Sequence, residues 1–379
     1  MSQVSEPWSF RFSPRMAGLQ ASKIRDLFDA ARRRPGSVDL SIGHADFEVP
    51  EAVRDLAIAA IHEGCGAYSA TEGYADVVAA TKGHLQADFD LNSAEAVMMT
   101  TGASGALTLA FMALLGEGDE VLIPDPYFVV YPNLARIVGA VSASYSLYPD
   151  FRLRPEALLS KITPRTRALV LNSPANPTGM CLTKQELATV AQICRDHRMV
   201  VISDELYHQF VYGEPHETIK QVLGPEALLI GGTSKAFGMA GWRLGWAAGS
   251  PELIDQMRTL QQFTFTCPPT MVQRGVLGAF SVDLAPRVRQ FKERRDFLCD
   301  GLLEAGYELE RPNGAFYVFP KVPWGDDVSF VKAAMECGLL IVPGRAFSGE
   351  TTHFRLTFAR EMGTLERGLE ILRSLAKGP

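Results

Sequence analysis

Cysteine is scarce and unpatterned. The 379-residue chain holds six, at positions 65, 181, 194, 267, 299 and 337, with no C-x-x-C pair and no histidine at metal-ligand spacing beside them. The seven histidines are scattered, without an H-E-x-x-H. No metal site is visible in the sequence, and mostly buried, reduced thiols in a cytoplasmic protein are expected. Long hydrophobic runs are missing too. The longest, Ala106 to Leu115, is interrupted by Thr108 and has about half the ~20 residues a membrane helix needs. Met1 to Trp8 is polar and lacks the apolar stretch of a secretory leader. Positive charge is in deficit: 37 Lys and Arg stand against 43 Asp and Glu, for a net charge of −6, and the densest basic cluster is Arg32, Arg33 and Arg34. A solvated helix end accounts for that run, so no nucleic-acid partner is expected. Repeats and low-complexity tracts are absent. With 47 % hydrophobic and 21 % charged residues, the chain excludes both disorder and a coiled coil. Its length allows about two domains with a large core.

From about residue 95 to 280, short apolar runs alternate with helical periodicity, the pattern of an α/β domain with a mostly parallel sheet. The strand-like runs are Ala96–Thr100, Glu120–Ile123, Ala168–Leu171, Met199–Ile202 and Leu228–Ile230. Ligands of such sheets bind beyond the carboxyl ends of the strands. The residues there are Gly102-Ala103-Ser104-Gly105, Pro124 through Phe128, Asn172 through Gly179, Asp204 through Tyr207, and Thr233-Ser234-Lys235. A second region begins near Asp283. It has a long helix over Val288–Ala305, strand-like segments at Ala315–Phe319 and His353–Phe358, a helix near Ser329–Cys337 and a last one from about Leu365 to Ala376. The expected division is a large domain over residues 46–282, and a smaller α+β domain formed by 1–45 and 283–379.

Lys235 lies just past a strand, in an apolar, glycine-rich run. Burial and a neighbouring cation favour a neutral, nucleophilic amine, the form a Schiff-base lysine needs; the plain alternative is a lysine snorkelling from the sheet edge. Arg243, eight positions on, offers a planar guanidinium suited to a phosphate dianion. The turn Gly102–Gly105 adds backbone N–H groups at a helix start, and Ser104 a hydroxyl, although a glycine-rich turn can also be purely structural. Together they specify a phosphate beside an amine-reactive carbonyl, which is pyridoxal phosphate. Asp204, at a strand tip, can keep the pyridine nitrogen protonated, or it can be an ordinary capping or loop acid. Asn176 and Tyr207 can donate to the ring's phenolic oxygen. Phe128 can stack on the ring face, or it can belong to the core.

Several motifs then stand in a telling order: Asn172-Ser173-Pro174-Ala175-Asn176-Pro177-Thr178-Gly179, Ser203-Asp204-Glu205-Leu206-Tyr207, Ser234-Lys235, Gly241-Trp242-Arg243-Leu244-Gly245 and Phe354-Arg355-Leu356. Over nearly its whole length the chain resembles the class I/II aminotransferases of the fold-type-I pyridoxal-phosphate superfamily, in the branch of bacterial aspartate and aromatic aminotransferases. The resemblance implies a seven-stranded, mostly parallel sheet flanked by helices, with a smaller α+β domain beside it. It implies Lys235 as the Schiff-base lysine, Asp204 as the pyridinium partner, and Asn176 and Tyr207 as phenolic-oxygen donors; Lys235, Asp204 and Tyr207 form the catalytic set. Ala103, Ser104, Ser234 and Arg243 would hold the phosphate, joined by Tyr68 from the other subunit of a homodimer. On the substrate side, Arg355 would clamp the α-carboxylate, with Gly43 and Asn176 beside it.

The chain departs from the family pattern at three points. Gly232 stands where a phosphate-binding Ser or Thr is frequent, a loss that water or the partner's Thr264–Thr266 loop would make good. Ala45 replaces a usual proline. The stretch Phe263–Pro269 is less polar than where some relatives place a side-chain-reading arginine, which weakens the case for a dicarboxylic donor. The expected activity is ping-pong transfer of an amino group between an α-amino acid and a 2-oxo acid, 2-oxoglutarate being the expected acceptor, with no metal. Two other readings share the fold: a carbon–sulfur β-lyase, and a silent cofactor-binding regulator.

Overall fold

A computed structural model describes residues 10–16, 19 and 36–378. The Arg32–Arg34 run and the Met1–Trp8 stretch lie outside the described residues. In chain order the strands are β1 (Val38–Asp39), β2 (Ala96–Thr100), β3 (Glu120–Asp125), β4 (Val141–Ser146), β5 (Thr166–Asn172), β6 (Val200–Asp204), β7 (Ala227–Gly232), β8 (Gly245–Gly249), β9 (Tyr317–Val318), β10 (Leu339–Leu340), β11 (Val342–Pro343) and β12 (Phe354–Thr357).

Seven of them form one sheet in the order β2-β8-β7-β6-β5-β3-β4. Only β8 runs against its neighbours. Helices cover both faces, so the inner strands are buried throughout and read as continuous apolar runs rather than alternating ones. The edge strand β4, Val-Ser-Ala-Ser-Tyr-Ser, is half exposed and correspondingly polar.

Chain direction decides where the chemistry lands. The parallel strands all end at the same edge of the sheet, so the segments after β2, β3, β5, β6 and β7 converge there. Because β8 is antiparallel, it begins at that edge, and the residues just before it, including Arg243, arrive at the same place. The switch of winding direction falls between β3 and β5, where a crevice for a ligand opens.

Beside this sheet lie the antiparallel trio β11-β12-β9 and the parallel pair β1-β10, with the long helix Ala285–Glu304 and the last helix Met362–Leu375 packed on them. Phe237 and Met239, from the link between β7 and β8, share one core cluster with Phe291, Phe316 and Phe354. A half-buried ion pair, Arg294 to Asp46 at 2.8 Å, adds a polar tie. The segment between β7 and β8 is thereby packed against the second region.

Candidate active site

A cavity of about 240 Å³ opens at that edge. Its wall includes Gly43, Ala103, Ser104, Phe128, Asn176, Asp204, Tyr207, Ser234, Lys235, Arg243 and Arg355, all nominated by the sequence, together with Leu107, Asn172, Leu206, Ala240 and Tyr317. Tyr68 is the one nominated residue outside it; it is 81 % exposed.

One corner gathers N–H and hydroxyl donors around a guanidinium. The helix Gly102–Leu114 starts without a capping side chain, so its first-turn N–H groups have no side-chain acceptor. Arg243 reaches this point from a left-handed backbone conformation, φ 58°, anchored by Nη1 donating to the Ala240 carbonyl at 3.0 Å. Its guanidinium lies so close to Gly102 that a Cβ there would be 2.8 Å from Nη2. Ser234 and Ser104 bring hydroxyls to the same wall. Gly232 is tightly placed: a Cβ would sit 3.1 Å from both the Gly245 Cα and the Leu244 oxygen. Packing between β7 and β8 thus leaves little room for a serine or threonine at this position.

At the centre stands Asp204, the last residue of β6, 4 % exposed. Tyr131 donates to its Oδ2 at 2.8 Å, and the Leu206 N–H to its Oδ1 at 3.3 Å. Burial lifts the carboxyl to about 6, against the pull of those donors and of Lys235. Asp204 has no ion-pair partner among the described residues. Lys235, from the segment after β7, donates from Nζ to the Gly43 carbonyl at 2.8 Å.

The third corner holds a buried guanidinium. Arg355 on β12 is 3 % exposed. Its Nη1 donates to Asn176 Oδ1 at 2.9 Å and its Nη2 to the Ser41 carbonyl at 2.6 Å, while Nε is buried with no partner. The Tyr317 and Phe347 rings flank the guanidinium at 4.5 and 4.6 Å. Asn176 is held in turn, its N–H donating to Asn172 Oδ1 at 2.8 Å, and Asn172 Nδ2 donates to the Asp204 carbonyl at 3.0 Å. Phe128 lies edge-on to Tyr131 with ring centroids 5.7 Å apart, leaving one face toward the cavity wall.

Two neighbours of these groups, Tyr317 and Tyr131, stand in no motif of the sequence. Tyr317 shares a 2.9 Å hydroxyl–hydroxyl hydrogen bond with Tyr207 and fills the space over Gly43, where a Cβ would fall 1.8 Å from its hydroxyl oxygen. Burial, reinforced by Tyr317, keeps the Tyr207 phenol neutral far above the usual range. Tyr131 reads as an ordinary apolar-face residue of the helix Val130–Val138 until the fold sets it against Asp204. A sequence signal existed for Tyr317 only in that it sits in the strand-like run Ala315–Phe319.

An amine, a buried carboxylate and two guanidinium groups thus line one crevice of an α/β sheet. Residues 35–372 match the family described as "Aminotransferase class I and II". The chain is 33 % identical over 375 residues to a probable aspartate aminotransferase of Methanocaldococcus jannaschii, covering 96 % of this chain and 99 % of that protein. It is 32 % identical over 371 residues to a probable N-acetyl-LL-diaminopimelate aminotransferase of Bacillus subtilis, with 95 % and 94 % covered. The solved structure of Thermus thermophilus aspartate aminotransferase with maleate matches with a TM-score of 0.92 at 32 % identity, over 97 % of this chain and all of that one (100 %). The chain belongs to the class I and II aminotransferase family, and it is an aminotransferase. These relatives favour neither a carbon–sulfur lyase nor a silent regulator.

Proposed function

We propose that the cavity binds pyridoxal 5′-phosphate and exchanges the amino group between an α-amino acid and a 2-oxo acid, with 2-oxoglutarate as acceptor, the two substrates using the site in turn. The observation that carries this reading is the convergence of Lys235, Asp204, Arg243 and Arg355 on one cavity. The residues fit the cofactor. The uncapped helix start beside Arg243 suits its phosphate, with Ala103, Ser104 and Ser234 contributing. Asp204, buried and without an ion pair, suits a protonated ring nitrogen. Asn176 uses Oδ1 for Arg355, which leaves its amide N–H groups, with Tyr207, for the phenolic oxygen. Phe128 would cover one ring face.

When bound, pyridoxal phosphate supplies an electron sink for the pair left at Cα as its proton departs. Lys235, the one amine lining the cavity, accepts that proton and returns it as general base and acid. Arg355 is aimed by Asn176 and Ser41 before any substrate arrives, so a carboxylate meets a guanidinium already fixed. Tyr317 stacks on that guanidinium and braces Tyr207, linking the substrate side to the cofactor side.

The reading extends to assembly. Tyr68, exposed and away from its own chain's cavity, would serve a partner's phosphate in a homodimer. Leu56, Ile58 and Ile61, each 41–58 % exposed on the helix Glu51–His62, with Phe263 at 85 %, supply apolar surface for such an interface. Residues 46–282 would form the cofactor domain, with 1–45 and 283–379 the smaller one. The setting is proposed to be cytoplasmic; no described helix is long and apolar enough to cross a membrane.

The test is spectroscopic. Purified protein given pyridoxal phosphate should turn yellow, and borohydride reduction should fix the cofactor to the peptide carrying Lys235. Screening the twenty amino acids for bleaching of that colour then names the donor. A protein that gains no visible absorbance ends the reading.

A further inference from the structure

Three side chains of metal-ligating type, His84, Asp88 and His208, meet beside the segment that follows β6. His84 and Asp88 lie four residues apart on the helix Ala75–Phe89 and so share one face. His208 comes from 120 positions further on, directly after Tyr207. The His84 Nε2, Asp88 Oδ2 and His208 Nε2 atoms all lie within 4.8 Å of one another. Asp88 Oδ2 is 3.4 Å from His84 Nε2 and 3.2 Å from His208 Nε2. Ligands bound tetrahedrally at the usual zinc distances of about 2.0–2.1 Å are separated by about 3.3–3.4 Å.

The hydrogen-bond partners strengthen the case. His208 Nδ1 faces the Glu205 backbone carbonyl at 3.0 Å. A carbonyl only accepts, so Nδ1 donates there, and Nε2 is the ring atom left facing the Asp88 carboxylate at 3.2 Å. His84 Nε2 is buried in the same spot and forms no hydrogen bond among the described residues. Its ring is stacked on Phe280 at 4.7 Å, and the His208 ring packs on Phe89 at 4.5 Å, so both imidazoles are held in place by apolar contacts. A backbone carbonyl on the far nitrogen and a packed ring are the supports that metal-binding histidines carry.

We propose that His84, Asp88 and His208 form a site for a divalent transition-metal ion of the zinc class, with water completing the shell. The ion would tie the helix Ala75–Phe89 to the segment that carries Tyr207. The sequence gives no hint of it, because the third ligand is distant and none of the spacings is a metal motif.

Metal-free holoenzyme, stripped with a chelator, is titrated with cobalt(II) and followed by its visible ligand-field bands; zinc is then added in competition. The expected result is one cobalt per chain with tetrahedral-type bands, displaced by zinc, and a melting temperature that rises with metal concentration. His84→Gln, Asp88→Asn and His208→Gln should each weaken cobalt binding by at least about tenfold, with the cofactor spectrum unchanged as evidence of folding. Cys337→Ser, at an exposed thiol, should leave binding intact. Asp88→Asn is close in shape to the parent and serves if a histidine variant fails to fold. Absence of cobalt binding, or binding that survives the three substitutions, overturns the proposal.

Discussion

Asp204 offers a test of the site that needs no turnover. Its carboxyl moves from 3.8 to about 6 because it is buried without a counter-charge. Each pKa unit corresponds to about 1.4 kcal/mol, so the cofactor-free fold bears roughly 2–3 kcal/mol for holding this group ionised. The sign follows from proton counting. Between pH 3.8 and 6 the folded state binds more protons than the unfolded state, so stability falls as pH rises through that window and the full penalty remains above it. Asp204→Asn removes the charge and keeps one acceptor for Tyr131 or the Leu206 N–H, at a pH-independent cost of about 1 kcal/mol for the bond lost. The stability of the variant relative to the parent should therefore swing in the variant's favour by roughly 2–3 kcal/mol between pH 4 and pH 8. Urea unfolding of the two cofactor-free proteins at several pH values measures it. With pyridoxal phosphate bound, the ring nitrogen becomes the missing counter-charge, and the parent should regain the advantage. A pH-independent difference, or a swing of the opposite sign, would refute the assignment of Asp204 as a buried charge awaiting a cation.

Arg355→Lys keeps a cation but loses the fork held by Asn176 and Ser41; half-reactions with amino acids should slow by roughly 2–4 kcal/mol of transition-state binding, while amines lacking a carboxylate react as before. Loss of the cofactor or of the fold in that variant would make Arg355 structural. Gly43→Ala drives a methyl into the Tyr317 hydroxyl; the expected outcome is a displaced Tyr317, weaker amino-acid binding in steady-state kinetics and an intact fold by circular dichroism. Tyr68→Phe should loosen cofactor retention, measured by dialysis, in a protein that sediments as a dimer; a fully active monomer would end the shared-site idea.

The sheet was legible where its strands are buried on both faces. Ala96–Thr100 stands in the structure with the bounds its apolar run suggests; β5 and β7 extend their runs by one or two residues at each end, and β6 starts one residue later and ends two residues later than its run. Two strands escaped. The edge strand β4 alternates serine with apolar residues and has no continuous run. In β8, Gly-Trp-Ala-Ala-Gly, glycine and alanine carry little strand preference, and the segment is apparent only because β2 and β7 pair with it from either side. The helices of the second region begin earlier than the periodicity indicates, at Ala285 and Met362, because their first turns, Ala-Pro-Arg and Met-Gly-Thr, are largely exposed and add nothing to the apolar stripe.

The site divides along the same physical line. Lys235, Asp204, Asn176, Phe128 and the Gly102 turn are conspicuous because each ends a strand or follows one within a few residues, and an α/β sheet collects its strand ends at one edge whatever the remaining packing does. Tyr131 and Tyr317 are different. Their partners lie 73 and 110 positions away, and nothing in the residues beside them distinguishes a tyrosine that holds a carboxylate from one that fills the core. Both are buried aromatics whose only polar atom must find a partner when the fold closes, and in both cases that partner is itself a nominated site residue. A buried tyrosine near a strand-end motif is thus a better candidate for a site role than its local pattern indicates. The rule reaches the Tyr317–Arg355 contact as well, since the ring that satisfies Tyr207 also lies over the guanidinium. A single side chain absent from every motif therefore couples the group nominated for the cofactor to the group nominated for the substrate.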